Sequence, residues 1–306
     1  MADSVKPKVS VIIPAYNAAE FVAEAVQSIL VQTFADFELI IIEDGSTDRT
    51  RAILKSFTDE RVIVGENLAN LGEAESFNIG MALARGDFLA RFDADDIAES
   101  NRLELQYEFM MAHPEVTVCG ADMSSFGEIV AVTAVPLHDG DIKANFMLAK
   151  ANIMNPTAFV RRQFVIEHRI RMHPGYTSGD DLAFWIDCMR HGAVFANINK
   201  PLIRYRTRPR NRGGQPDPTV REILTRLALD FFPSLSHTEA KALIRIFSVA
   251  SANLNFGEIS QTVTASEKAL ADNRCYFGEN RIVLRNLVVA HLQMFIQAAT
   301  ASIREK

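Results

Sequence analysis

Three aspartates, Asp93, Asp95 and Asp96, fall within four residues at the end of the apolar run Phe88 to Phe92. Like charges this close repel by about 1 kcal/mol per pair at ~4 Å even in water, and by more near a protein interior. A divalent cation relieves that repulsion, and carboxylate oxygens favour magnesium, manganese or calcium over metals that prefer softer ligands. Magnesium-like ions take one or two protein carboxylates and complete their shell with water and phosphate, so the cluster points to a phosphate-bearing substrate. The plainer alternative is a solvated acidic turn that caps a helix starting near Asn101, since aspartate is common in both settings.

Two further segments carry chemistry-bearing groups. Glu43-Asp44-Gly45-Ser46 reads as a turn into a capped helix, or as a carboxylate that accepts from a nucleobase N–H beside a glycine permitting close backbone approach. Asp180-Asp181-Leu182-Ala183-Phe184-Trp185 follows a glycine-bearing stretch and opens a helix, where both aspartates would serve as N-caps. Trp185 fits the core at helical spacing, or a stacking contact with a sugar.

The elements that must hold these groups are legible from periodicity. Val9 to Pro14 and Phe37 to Ile42 are β-branched runs of the kind buried on both faces of a parallel sheet. Helical spacing is expected over Ala19 to Val31, from Thr47 or Asp48 through Phe57, over Gly72 to Arg85 and over Asn101 to Ala112. Short strands at Val62 to Val64 and Phe88 to Phe92 complete an α/β alternation, which places functional loops at the carboxyl ends of parallel strands. Arg204 to Pro218 reads as a loop or linker, and apolar periodicity over 221–232, 238–252 and 281–303 predicts a helical C-terminal subdomain. The expected division is therefore 1–215 and 216–306.

In order and spacing, VSVIIPAYN (9–17), IIIEDGSTDRT (40–50), NLANLGEAESFNIGMALARGDFLARFDADD (67–96) and DDLAFW (180–185) resemble the family 2 glycosyltransferases. The subgroup that builds bacterial surface polysaccharides is the most similar. The resemblance implies a GT-A fold over roughly the first 210 residues and transfer of a sugar from a nucleoside-diphosphate donor, UDP-sugar favoured, to a hydroxyl of a glycan or lipid-linked acceptor. It implies that Pro14, Tyr16, Asn17 and Asp44 hold the nucleoside and that Gly72 passes close to it. Asp93 is then expected near the ribose and the metal, and Asp95 on the Mn2+ or Mg2+ that bridges the diphosphate. Asp181 takes the place of the general base of inverting members, with Asp180 and Trp185 toward the acceptor. Arg204 to Arg208 is similar to the family's Tyr-Arg-x-His element with Arg208 in the histidine's place, so Arg206 and Arg208 are expected on diphosphate oxygens. Phe77-Asn78 departs from relatives that have arginine before the asparagine.

Composition narrows the alternatives. A net charge of -6 gives no support for nucleic-acid binding, and 48% apolar residues exclude a disordered chain. Cys119, Cys188 and Cys275 fit neither a disulfide framework nor a zinc knuckle, which suggests structural thiols in a reducing compartment. With no apolar stretch before Val9, a secretory signal is not expected; the expected location is cytoplasmic or peripheral at the inner face of the cell membrane. A nucleotidyltransferase would need a glycine-rich loop that residues 9–20 lack, and no GxGxxG follows the first strand. A catalytically inactive nucleotide-sugar-binding or scaffold protein remains the rival from another class. The C-terminal helices are open to burial in the monomer, a homodimer interface or membrane contact, and apolar faces alone do not choose among these.

Overall fold

The computed structural model describes residues 6–149, 152–176, 178–207, 217–247, 254–272 and 281–304. The first half alternates as expected: β1 (Val9–Ala15), α1 (Val22–Leu30), β2 (Phe37–Glu43), α2 (Thr50–Leu54), β3 (Val62–Glu66), α3 (Glu73–Leu83) and β4 (Phe88–Arg91). Next come β5 (Ile97–Ala98), α4 (Arg102–Ala112), β6 (Val118–Gly127), β7 (Ala131–Thr133), α5 (Asp139–Asn145), β8 (Phe159–Arg161), α6 (Arg162–Glu167), α7 (Asp180–Arg190) and β9 (Phe195–Thr207). The remainder is helical: α8 (Pro218–Phe231), α9 (His237–Leu243), α10 (Phe256–Ala271) and α11 (Arg281–Arg304).

The nine strands form one sheet, in the order β3-β2-β1-β4-β8-β6-β9-β5, with β7 on β6. β1 pairs in parallel with β2 on one side and β4 on the other. The chain thus winds outward from β1 through β2 to β3, then returns across β1 to β4. That reversal opens a crevice at the carboxyl ends of β1 and β4. Beyond β4 the sheet turns mixed, because β8 runs antiparallel to both β4 and β6. Val11, Ile13, Ile29, Leu39, Ile41 and Phe92, all fully buried, build the core beneath this edge.

Two expectations change. Arg204 to Thr207 are not loop: they finish β9, paired with Ser124 to Gly127 of β6, because a long neighbouring strand satisfies their backbone. The helix after the EDGS turn is also shorter than expected, five residues, with Asp48 accepting from Thr50 N at 2.9 Å. Cys119 and Cys188 are buried free thiols, each pushed well above the ordinary thiol range by burial; Cys275 lies outside the described residues.

Contacts divide the chain into a first unit of residues 1–137, 153–175 and 183–211, and a second of 138–152, 176–182 and 212–306. The second unit thus takes two segments that a single boundary at 215/216 leaves with the first. Within it, α9 and α10 each begin with a capping box, Ser236 with Glu239 and Asn255 with Glu258. α11 packs on α5 and α10, burying Leu284, Val288, Phe295 and Ala299 while Ile282 and Met294 stay exposed. Among the described residues α11 is the one helix long and apolar enough to cross a membrane by length and composition.

Candidate nucleotide-sugar site

A cavity of about 410 Å³ lies in the first unit at the crevice predicted by the topology. Pro14, Tyr16 and Asn17 reach it from the end of β1, Asp44 from the end of β2, and Asp93 and Asp95 from the end of β4. Gly72 and Glu73 at the start of α3 add a further wall. Seven residues singled out from the sequence are thereby brought together: Pro14, Tyr16, Asn17, Asp44, Gly72, Asp93 and Asp95. Asn70, Glu73 and Tyr205 line it too, none of them expected from the sequence.

The loops after β1 and β2 are locked to each other. Asn17 sits at φ 46°, and its Oδ1 accepts from Thr47 N at 2.9 Å while its own N–H donates to Ser46 Oγ at 3.0 Å. Asparagine tolerates this left-handed conformation better than most residues. Gly45 is forced twice over: its φ is 70°, and a Cβ there would meet the carbonyl carbon of Ala69 at 2.6 Å. Gly45→Ala is therefore expected to destabilise the first unit by about 2–4 kcal/mol, combining backbone strain with a backbone clash. Urea unfolding of the variant checks this.

Asp44 is 2% exposed, and its carboxylate gathers the opposite wall. Its Oδ1 accepts from Asn67 Nδ2 and Leu71 N, both at 2.8 Å, and its Oδ2 from Gly72 N at 2.9 Å. An ionised carboxylate offers about four acceptor positions, so these bonds leave room for roughly one more at the cavity face.

The aspartates of the DADD cluster have different surroundings. Asp93 is one-quarter exposed, within 3.5 Å of Arg91, which also pairs with Glu73. Burial raises the Asp93 pKa most, Arg91 opposes the shift, and Glu73 and Asp95 add to it. Asp95 is half-buried on the cavity wall. Asp96 is fully buried, turned to accept from Arg206 N at 2.9 Å, with its pKa raised chiefly by burial and then by Asp93. Arg102, also fully buried, lends positive charge beneath the cluster: its Nη2 donates to Arg91 O at 2.7 Å. The solvated-turn alternative does not hold, because Asp96 is sealed in and the helix N-cap at Asn101 has no side-chain bond.

Arg206 is the main correction. It does not line the cavity; its Nε donates to Asp95 O at 2.8 Å, its Nη2 to Glu24 at 2.6 Å, and its guanidinium lies within 4.5 Å of the ring centres of both Phe21 and Phe126. Arg206, expected on diphosphate oxygens, instead ties the acidic loop to β9 through Asp95 O and Asp96, and its neighbour Tyr205 lines the cavity. Arg208 lies outside the described residues. Arg206→Ala is expected to cost about 1–3 kcal/mol, since it removes the side-chain donor to the Asp95 carbonyl and the partner of Glu24, while the backbone N–H that Asp96 accepts from stays. Denaturant midpoints of the variant and wild type check this.

Asp180 and Asp181 open α7 and belong to the second unit, with Leu182 N donating to Asp181 Oδ1 at 2.7 Å. Gly179, at φ 74°, provides the turn into the helix. Trp185 is 3% exposed and packs edge-on against Phe184, so the acceptor-stacking expectation gives way to the core one.

Among the described residues no three His, Cys, Asp or Glu side chains converge on one point. Two oxygen-donor carboxylates on one cavity, Asp93 and Asp95, with Asp93 short of compensating charge, fit a hard cation that takes one or two protein ligands.

A crevice at the β1/β4 reversal, walled by loops from β1, β2 and β4, is the arrangement of a GT-A nucleotide-sugar fold with a helical C-terminal part. Consistent with that, S. aureus TarS 1–349 in complex with UDP-GlcNAc superposes with a TM-score of 0.66 at 17% identity, covering 97% of this chain and 92% of that one. Residues 10–170 match glycosyl transferase family 2, and the chain belongs to that family. An uncharacterized glycosyltransferase of Haemophilus influenzae is 33% identical over 216 residues, 65% of either chain. An Escherichia coli relative, UDP-Glc:alpha-D-GlcNAc-diphosphoundecaprenol beta-1,3-glucosyltransferase WfgD, is 38% identical over 103 residues, 34% of this chain and 41% of that one. The chain thus matches less than two thirds of the length of these two relatives.

Proposed function

We propose that this chain is a metal-dependent, inverting glycosyltransferase that moves a sugar from a nucleoside-diphosphate donor, UDP-sugar favoured, to a hydroxyl of a glycan or lipid-linked acceptor. The observation that carries the reading is the convergence of Tyr16, Asp44, Asp93 and Asp95 on one cavity at the carboxyl ends of three parallel strands. Support comes also from the UDP-GlcNAc bound by TarS and from the lipid-diphosphate acceptor in the name of WfgD.

Each group has a task. Tyr16, 46% exposed at the cavity, offers an aromatic face to the base, and the remaining acceptor position of Asp44 takes a nucleobase N–H. Asp93 and Asp95 would hold Mn2+ or Mg2+, which when bound offsets the charge that builds on the departing diphosphate. Arg206 holds the backbone of Asp95 in place for that duty. Asp181 accepts the proton of the acceptor hydroxyl as its oxygen attacks the anomeric carbon. The bond from that carbon to the diphosphate oxygen breaks, its electron pair leaves with the diphosphate, and the configuration inverts. Charge stabilisation and proton removal both peak in the transition state, so they act on turnover more than on ground-state binding.

Tyr16→Ala tests the nucleoside assignment. Base–aromatic stacking contributes about 1–3 kcal/mol, so UDP affinity is expected to fall about 5- to 100-fold in calorimetric titration. Unchanged UDP affinity would remove Tyr16 from the site.

A further inference from the structure

A second cavity, of about 320 Å³, lies in the first unit between α3 and α6 and shares only Glu75's helix with the donor site, none of its lining residues. Its floor is apolar, built from Ile79, Met81, Leu89, Val165 and Ile170. Its polar lining is mostly cationic: Arg162, Arg169 and Arg171 stand against one carboxylate, Glu75. That carboxylate pairs with Arg171 at 3.4 Å and also accepts from Asn78 Nδ2 at 3.2 Å, so it offsets one of the three charges and leaves the lining cationic. Arg162 Nε is buried with no hydrogen-bond partner, a charged donor that burial penalises unless an acceptor arrives. Arg169, at φ 54°, is the left-handed residue that ends α6, its N–H on Ile166 O at 3.1 Å and Ile170 N on Val165 O at 3.0 Å, and it lines the cavity from there.

An apolar floor under a cationic rim matches a molecule with a chain and an anionic head. We infer that the cavity between α3 and α6 is a second binding site, for a single-chain alkyl or isoprenoid phosphate. The chain covers Leu89, Val165 and Ile170, and the phosphate oxygens accept from the three guanidiniums, whose planar forks suit that geometry. Volume agrees, since 320 Å³ falls within the usual range for small-ligand pockets. The inference does not depend on the donor site and is tested apart from it.

The chain supplies its own reporter. Its single tryptophan, Trp185, lines a small internal void together with Met81 and Leu89, the same two side chains that floor the second cavity. The experiment titrates the full chain with octyl phosphate below its micelle concentration, reading Trp185 fluorescence and heat in parallel, with inorganic phosphate and octanol as separate probes. Saturable binding of octyl phosphate is expected, at least tenfold tighter than either control, with about a fourfold gain per added methylene from hexyl to octyl phosphate. The exposed double variant Arg169→Gly, Arg171→Gln removes two charges, and glycine at 169 relieves the backbone, so folding is preserved. It should weaken octyl phosphate at least tenfold and leave UDP affinity within twofold of wild type. Octanol or inorganic phosphate binding as well as octyl phosphate would overturn the inference, and so would wild-type affinity in the double variant. Loss of UDP binding by the wild type would overturn the donor site and leave this one standing.

Discussion

Asp181→Asn is expected to lower sugar transfer by about 10²- to 10⁴-fold, the range contributed by a positioned general base. UDP and donor affinity should change by less than about twofold, because the base acts on the acceptor proton and not on the nucleotide. The amide keeps the size of the carboxylate and an oxygen able to accept from Leu182 N, so the first turn of α7 is preserved. Single-turnover transfer and calorimetric UDP binding, measured on one preparation, separate these effects. A variant that transfers at the wild-type rate would exclude Asp181 as the base. A parallel loss of UDP affinity and turnover would instead point to a folding or donor defect.

Asp95→Asn carries the second large effect. Removing one of two carboxylates from the metal pair is expected to lower turnover by about 10²- to 10³-fold, equivalent to several kcal/mol of transition-state charge stabilisation. Mn2+ should then cease to strengthen UDP binding. Asp96→Asn provides the contrast within the same tetrapeptide. Asp96 is fully buried, its Oδ1 is occupied by Arg206 N, and its Oδ2 has no partner. An asparagine keeps the first contact, so Mn2+ dependence should persist in that variant. Equal loss of Mn2+ response in both variants would contradict the separation of roles drawn between Asp95 and Asp96.

Local sequence was enough for the groups that act where strands end. The β-branched runs at Val9 and Phe37 have no plausible place outside a buried parallel sheet, so the loops carrying Asn17, Asp44 and Asp95 had to emerge on one edge. Arg206 was misread because its partners lie far off in sequence: Glu24, Asp95 and Asp96 are 110 to 182 residues away. A basic segment with glycine and proline after it looks like a solvated loop until the pairing with β6 is known. Tyr205 escaped for the same reason, since strand alternation around Arg206 could have placed it opposite had the strand been recognised. α10 went unnamed because its buried face is small and polar, Thr262, Ala265, Ser266 and Ala269, and gives little apolar periodicity. The second cavity was equally silent in sequence, because its arginines and its apolar floor come from separate elements that only folding brings side by side.

If the DADD cavity turns over a nucleotide sugar, the free nucleotide must appear in solution. The most direct test screens the purified chain against UDP-, GDP-, CMP- and dTDP-sugars, measuring nucleotide release with Mn2+ present and again after chelation. Release from at least one nucleoside-diphosphate sugar is expected, abolished by chelation and by Asp95→Asn. Tight UDP binding with no release from any donor in the presence of acceptor glycans, or release indifferent to metal, would contradict it.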